Sequence, residues 1–161
     1  MIVVATPSRR VSRPVLERFL AQARRAVGLR GVVDVLLADD AELKRLNTVF
    51  RGKKKPTDVL SFPADDPGGK LAGDIAISLE TAARQAAEFG HTLQSEVKIL
   101  LLHGLLHLNG MDHETDEGEM AAQEMALRTR LKLSAGLIAR AAKQAAGPPR
   151  KAMRLPKKAK P

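Results

Sequence analysis

Three of the chain's four histidines lie in one stretch of eleven residues, 103–113, which reads H-G-L-L-H-L-N-G-M-D-H. His103 and His107 are four apart, so an α-helix would place both imidazoles on one face, one turn apart. Gly110 is expected to end that helix, because glycine readily adopts the left-handed conformation of helix ends. His113 then supplies a third nitrogen. Three protein ligands and one open position predict a catalytic metal site, since structural zinc sites are closed.

This spacing matches the long zinc-peptidase pattern H-E-x-x-H-x-x-G-x-x-H at all but one position. Gly104 stands where the peptidases carry the glutamate that acts as general base. The sequence therefore predicts hydrolytic metal chemistry on a substrate other than a peptide. We expect one zinc ion per chain, although the same imidazoles also suit nickel, copper and iron(II). The competing interpretation, histidines satisfied within an apolar core, fits a single histidine better than three at this spacing.

The composition narrows the classes of protein to consider. The chain has 161 residues, enough for one domain with a real core. It contains no cysteine, so a disulfide or a thiolate metal site is impossible, which fits a cytoplasmic protein. No apolar run approaches the roughly 18 residues of a membrane span, and the N-terminus lacks the order of charges of a signal peptide. We expect no membrane partner.

The charge of the chain is concentrated at its C-terminal end. The net charge is +9, and six basic residues with no acid fall in the last twelve positions. We expect residues 1–146 to form a single domain and residues 147–161, which begin Gly-Pro-Pro, to form a disordered basic tail. Such a chain suits a polyanionic partner. It has no Trp or Tyr, so phosphate contacts rather than base stacking would hold nucleic acid.

The periodicity of the apolar residues predicts an α+β fold. Strands are expected over 1–5, 32–37, 58–62 and 71–78, and helices over 14–27, 41–49, 79–89, 93–108 and from the acidic run 114–119 to 131, with a weak helix over 134–146. Ser12, Asp39 or Asp40, and Ser78 are the expected N-caps. This order predicts a small mixed β-sheet packed with helices. One side of the 93–108 helix is expected in the core, with the histidines at its margin, and His91 at the surface or in a cap.

A second motif, R-G-K-K-K-P-T-D-V-L-S-F-P over 51–63, opens as a basic loop and closes as a strand. Together with the histidine stretch it resembles the YbeY family, the metal-dependent bacterial endoribonucleases of ribosomal RNA maturation. Their signatures are H-G-x-L-H-L-x-G-x-D-H and R-G-x-x-x-P-T-D-V-L-S-F, and the L-A-G-D-I of 71–75 is similar to a third, L-G-D-I. The resemblance covers roughly residues 30–132.

The resemblance implies a fold, an activity and a set of partners. It implies zinc on His103, His107 and His113, with His113 also in the catalytic site, and a functional arginine at Arg51. It implies cleavage of single-stranded RNA, in 16S rRNA 3′-end processing and ribosome quality control in the cytoplasm. The implied partners are RNA, the small ribosomal subunit and its assembly factors, and no DNA is expected.

Several polar side chains gain candidate roles from this resemblance. Arg51 is the best candidate for a phosphate clamp, because its planar fork matches phosphate oxygens bidentately. The steering charges would be Lys53, Lys54 and Lys55. The alternative for this whole charge run is a solvated turn. Asp112 and Glu114 flank a ligand and are candidates for orienting it, although Asp112 suits a turn equally well.

Two other functions remain open at this point. One is a zinc hydrolase of another substrate, against which the glycine at position 104 weighs. The other is a ribosome-associated assembly factor whose zinc is mainly structural, against which an open fourth coordination position would weigh.

Overall fold

The structure is a computed structural model that describes residues 1–112 and 114–133. The order of its elements confirms the predicted α+β class. The strands are β1 (Ile2–Val4), β2 (Val32–Ala38), β3 (Val59–Pro63) and β4 (Leu71–Ser78). The helices are α1 (Arg13–Val27), α2 (Asp40–Arg51), α3 (Leu79–Phe89), α4 (Leu93–Leu108) and α5 (Glu119–Arg130). The helix predicted over 134–146 and the tail over 147–161 lie outside the described residues.

The four strands form one mixed sheet in the order β1-β2-β4-β3. β1 pairs with β2 and β2 with β4 in parallel, whereas β3 pairs antiparallel with β4 along the edge. The small mixed sheet was therefore predicted correctly. The antiparallel edge strand brings Ser61 level with Ile75, directly beneath the helix that carries the histidines.

Local capping explains where the helices begin. The side chains of Ser12, Asp39 and Ser78 each accept a hydrogen bond from the backbone N–H three residues later. These bonds satisfy donors that a helix leaves unpaired in its first turn. Of the two aspartates considered for α2, Asp39 is the cap and Asp40 is the first helical residue.

Helix α4 is buried on nearly all sides, because the sheet covers one side and α1, α3 and α5 pack around the others. Twelve of its sixteen residues are buried. The prediction that its histidines lie at the margin of the core is wrong for His103, which is fully buried, while His107 is partly buried. Although α4 is so apolar, no helix in residues 1–112 and 114–133 has the length and apolar character that crossing a membrane requires.

The sheet lies between α2 and the large core, although the first turn of α2 contacts α3 through Asp40, which pairs with Arg84. Val35, Ile75 and Ile77 face the large core that contains α1, α3, α4 and α5. Leu60 and Ala76 face a smaller cluster on the other side, where Leu43 of α2 packs. Successive side chains of a strand alternate between the two faces, so the sheet lies between α2 and α4.

The burial of α4 makes its apolar side chains a large part of the main core. Leu101→Ala, at a position with no exposed surface, should lower the free energy of unfolding by about 2–5 kcal/mol, because it leaves a cavity in a close-packed core. Val49→Ala, at a side chain that is 62% exposed, is the control and should change it by at most about 0.5 kcal/mol. Urea denaturation of the two variants measures the difference, and equal midpoints would contradict this account.

Candidate metal centre

Helix α4 lies close against the sheet at Gly104. A Cβ atom there would lie 2.9 Å from Ile75 Cδ1 and 3.1 Å from Ser61 Oγ. The Ser61 hydroxyl also donates a hydrogen bond of 3.2 Å to the Gly104 carbonyl, which holds β3 against the helix. A glutamate would therefore be driven into the sheet. Gly104, at the position of the peptidase base, is needed because the helix and the sheet leave no room for a side chain there.

The two histidines of α4 face each other with their Nε2 atoms. These atoms are 3.1 Å apart, and the ring centroids are 4.7 Å apart with the planes inclined by 66°. Two nitrogens bound to one tetrahedral zinc at ~2.0–2.1 Å would be separated by roughly 3.4 Å. The pair therefore has a separation close to that of two neighbouring ligands on one ion. That His103 and His107 bind a metal stays a prediction.

A buried carboxylate stands behind the first histidine. Glu124 Oε2 of α5 lies 3.3 Å from His103 Nδ1, and the two side chains are 1% and 0% exposed. A carboxylate at this position favours a proton on Nδ1 and leaves the Nε2 lone pair turned towards His107. Glu124 is not among the site residues predicted from the sequence. The sequence does contain an indication of its burial, because Glu124 falls on the same face of α5 as Met120 and Leu127, which are both buried.

The chain reverses direction directly after the histidine pair. Gly110 has a φ of +89°, its N–H bonds to the His107 carbonyl, and the next N–H, of Met111, bonds to the Leu106 carbonyl. These bonds are those of a helix closed by a left-handed residue. The prediction that Gly110 ends the helix is confirmed.

The loop after Gly110 contains the third predicted ligand, His113, which lies outside the described residues. Within the residues that are described, no group of three or more His, Asp or Glu side chains converges to hold an ion. Asp112 accepts a hydrogen bond of 3.0 Å from the Glu114 N–H, so its role in a turn is established. That Asp112 and Glu114 orient a ligand stays a prediction.

His91, expected at the surface or in a cap, takes part in the C-terminal cap of α3, since its backbone N–H bonds to the Ala86 carbonyl at 3.0 Å. Its side chain is 13% exposed, and its Nε2 lies 2.6 Å from Oε1 of Glu96, which is fully buried in α4. The ring also stacks on Phe89 at 6.4 Å. The N-cap of α4 is Thr92. His91 is therefore the polar partner of the buried Glu96 carboxylate. Both residues lie near the start of α4, at the opposite end from the histidine pair.

The basic segment is held in place by α2. Arg51 is the last helical residue, so the loop begins at Gly52 rather than at the arginine as predicted. The side-chain Nδ2 of Asn47, a residue that is 2% exposed, donates to the Lys55 carbonyl at 2.9 Å, and the backbone carbonyl of Asn47 accepts from the Lys53 N–H at 3.2 Å. The backbone of the loop is therefore fixed. Arg51 and Lys53 are partly buried, whereas Lys54 and Lys55 are exposed.

A cleft of about 360 Å³ lies on the α2 side of the sheet. Apolar side chains such as Leu46, Phe50 and Phe62 line it, together with the carboxylates of Asp34 and Asp74. The two aspartates are register partners on β2 and β4. Burial, and secondly the charge of Asp34, raise the pKa of Asp74 above its ordinary value. None of the predicted site residues lines this cleft, so it is separate from the histidine pair.

The family model and the curated relatives to which this chain is similar carry the same name. The family model described as endoribonuclease YbeY matches residues 5–132. A protein of that name from Koribacter versatilis is 52% identical over 145 residues, which cover 90% of this chain and 94% of the relative. One from Aquifex aeolicus is 46% identical, covering 70% of this chain and 77% of the relative. The solution structure of a Thermotoga maritima protein is 29% identical with a TM-score of 0.56, covering 81% of this chain and 89% of that one.

The packing at Gly104 can be tested by adding one methyl group. Replacing glycine by alanine inside a helix ordinarily stabilises by about 0.5–1 kcal/mol. Gly104→Ala should instead destabilise by about 1–2 kcal/mol, because the new Cβ overpacks the contact with Ile75 and Ser61. Gly68→Ala is the control, since its Cβ meets only one atom, at 3.4 Å. A gain in melting temperature for Gly104→Ala would show that the close approach is not a constraint.

Proposed function

The chain belongs to the YbeY endoribonuclease family, and we propose that it cleaves single-stranded RNA with one zinc ion bound at its histidine stretch. The observation that carries the metal part of the proposal is the pair of Nε2 atoms, 3.1 Å apart, with a buried carboxylate behind one ring. Family membership, which rests on the match over residues 5–132, makes the chain an endoribonuclease and RNA its substrate. The 3′ end of 16S rRNA, in the cytoplasm and on the small ribosomal subunit, is the substrate that we propose.

The residues proposed to hold the ion are His103, His107 and His113. Glu124 would keep a proton on His103 Nδ1, so that the Nε2 lone pair stays available without a rearrangement of the buried ring. When bound, a divalent ion would supply Lewis acidity for the scissile phosphate and for the attacking water. The role of His113 rests on its spacing from the other two histidines.

Arg51 is proposed to clamp a phosphate of the RNA, with Lys53, Lys54 and Lys55 steering the strand. The support from the structure is the fixed backbone of this loop, since a solvated turn needs no buried Asn47 to hold it. α2 and α4 lie on different faces of the sheet, and the edge strand β3 follows the basic loop and also contacts α4. The proposed path of the RNA from the loop to the histidines therefore passes this edge. A strand without base pairs can follow such a path more readily than a stiff duplex.

The two alternative functions are less well supported. Against a zinc hydrolase of another substrate stand the relatives of this chain, which carry the name endoribonuclease. An assembly factor with a structural zinc needs a fourth protein ligand, and among the described residues no third ligand joins the pair.

The metal proposal predicts the behaviour of two variants. His107→Ala should lose nearly all bound zinc. Glu124→Gln should retain the fold but bind zinc about 10–100-fold more weakly, because the neutral amide orients the imidazole less well. In the wild type and in Glu124→Gln, zinc affinity should fall as the pH drops to where imidazoles take up protons. Elemental analysis and competition with a chelator measure these effects.

The control for this experiment is His91→Gln, which removes a histidine bonded to Glu96 and not to the pair. It should lower the melting temperature while one zinc per chain is retained. Near-stoichiometric zinc in His107→Ala would contradict the assignment of the pair.

The clamp predicts a loss of activity without a loss of metal. Arg51→Ala should cut RNA cleavage by at least about tenfold, whereas zinc content and melting temperature stay near wild type. Arg51→Lys should restore little, because a point charge lacks the bidentate fork. Arg45→Ala, an exposed arginine of α2 bonded to Glu42, is the matched control. Full cleavage by Arg51→Ala would return the segment to the interpretation as a solvated turn.

A further inference from the structure

Helix α1 and the segments on either side of it carry a concentration of exposed arginines. Residues 1–30 contain seven arginines, no lysine and a single acid, Glu17. Six of the seven arginines are exposed: Arg9, Arg10, Arg13, Arg18, Arg25 and Arg30. We call this set the arginine surface. An arginine fork matches two phosphate oxygens at once, which a lysine cannot do.

Within α1, Arg18 and Arg25 of the arginine surface lie on the side of the helix that faces away from the core. Leu16, Leu20, Ala23 and Val27 recur at helical spacing and are buried. The opposite side carries Arg18, Gln22 and Arg25, at spacings of four and three, and all three are exposed. From Arg18 to Arg25 the helix rises about 10 Å, which allows these two arginines to contact separate phosphates of one strand.

Most of these charges are not used within the protein. Arg13 is 3.7 Å from Glu17, and Glu17 itself also accepts from the Ile2 N–H at 3.1 Å. Among the residues that the structure describes, no carboxylate pairs with the exposed arginines at positions 9, 10, 18, 25 and 30. Arg24, the partly buried seventh arginine, donates to the carbonyls of Leu29 and Gly31. The exposed charges are therefore available to an external anion.

The positive charge of this surface is local. Residues 31–133 contain 12 basic and 17 acidic residues, so the remainder of the described domain is acidic. A basic surface on an otherwise acidic body focuses a positive potential at one place, which favours a polyanion there and repels it elsewhere.

The direction of α1 connects this surface to the histidine pair. The Ser12 N–H donates to Gln94 Oε1 at 2.6 Å, near the first residues of both α1 and α4. At the other ends Asn109 Nδ2 donates to the Val27 carbonyl at 3.5 Å. The two helices therefore run side by side in parallel. Arg25 lies at the end of α1 that borders the end of α4 carrying His107.

We propose that the arginine surface binds the sugar–phosphate backbone of the RNA strand whose cleaved segment lies at the histidine pair. This inference rests on the proposed function, because it takes RNA as the ligand. The surface reads no sequence, since it offers charge and no aromatic side chain. Its outward side has no large apolar residue, so neither the apolar face of a membrane-bound helix nor the anchor of a protein interface is present.

The test compares RNA binding by three full-length proteins: wild type, Arg18→Gln/Arg25→Gln, and Lys44→Gln/Arg130→Gln. The last is the matched control, because it removes two exposed positive charges from α2 and α5. An unstructured RNA is titrated across a salt series in a chelating buffer that prevents cleavage. For a single-stranded ligand, each phosphate contact contributes about 0.7 to the steepness of the slope of log K against log salt. The α1 variant should therefore lose about 1.4, and the control should keep the wild-type slope.

Equal slopes for wild type and the α1 variant would overturn the proposal, as would an equal loss in the α1 variant and the control. A third arm uses vesicles of an anionic phospholipid. Loss of vesicle binding in the α1 variant with an unchanged RNA slope would overturn it in favour of a lipid surface. Cleavage by wild type with metal present is measured separately. Absence of cleavage refutes the proposed function, whereas cleavage with equal slopes refutes only the role of the arginine surface.

Discussion

The structure depends on one constraint, which is that a helix buried on nearly all sides must also carry polar side chains. A buried polar group without a partner costs about 1–3 kcal/mol, and a buried charge costs more. The fully buried side chains of Glu96 and His103 and the carbonyl of Gly104 each have a partner outside α4. Glu124 of α5 lies against His103, His91 lies against Glu96, and Ser61 of β3 bonds the Gly104 carbonyl. The elements around α4 thus supply polar partners as well as apolar contact, and this fixes their positions relative to the histidines.

The local features of the fold could be predicted because their causes are local. Ser12 and Ser78 cap helices by bonding a backbone group three residues away, and Gly110 ends one through its own φ. The spacing of His103 and His107 likewise fixes their meeting within one helix. The role of Glu124 could not be predicted, because it requires α5 to fold back over α4 from twenty-one residues further along the chain. The full burial of His103 was missed for the same reason.

The second motif shows how chemistry and architecture share one sequence block. The charges of its basic half suggest contacts with phosphate, whereas the residues that follow hold elements of the fold together. Asp58, which has no exposed surface, accepts from the Val59 N–H and from Gln85 Nε2 of α3. Ser61 joins the sheet to α4. The motif therefore ties the loop that carries the proposed phosphate contacts to the same strand on which the histidine helix rests.

The parallel alignment of α1 and α4 also determines when the site can assemble. Both hydrogen bonds that fix the alignment, from Ser12 to Gln94 and from Asn109 to Val27, join residues 82 positions apart. At a synthesis rate of about 5–20 residues per second, α1 is made roughly 4–16 s before the residues of α4 against which it packs. The arginines of α1 are therefore synthesised, beside the ribosome's own RNA, well before the histidine pair exists.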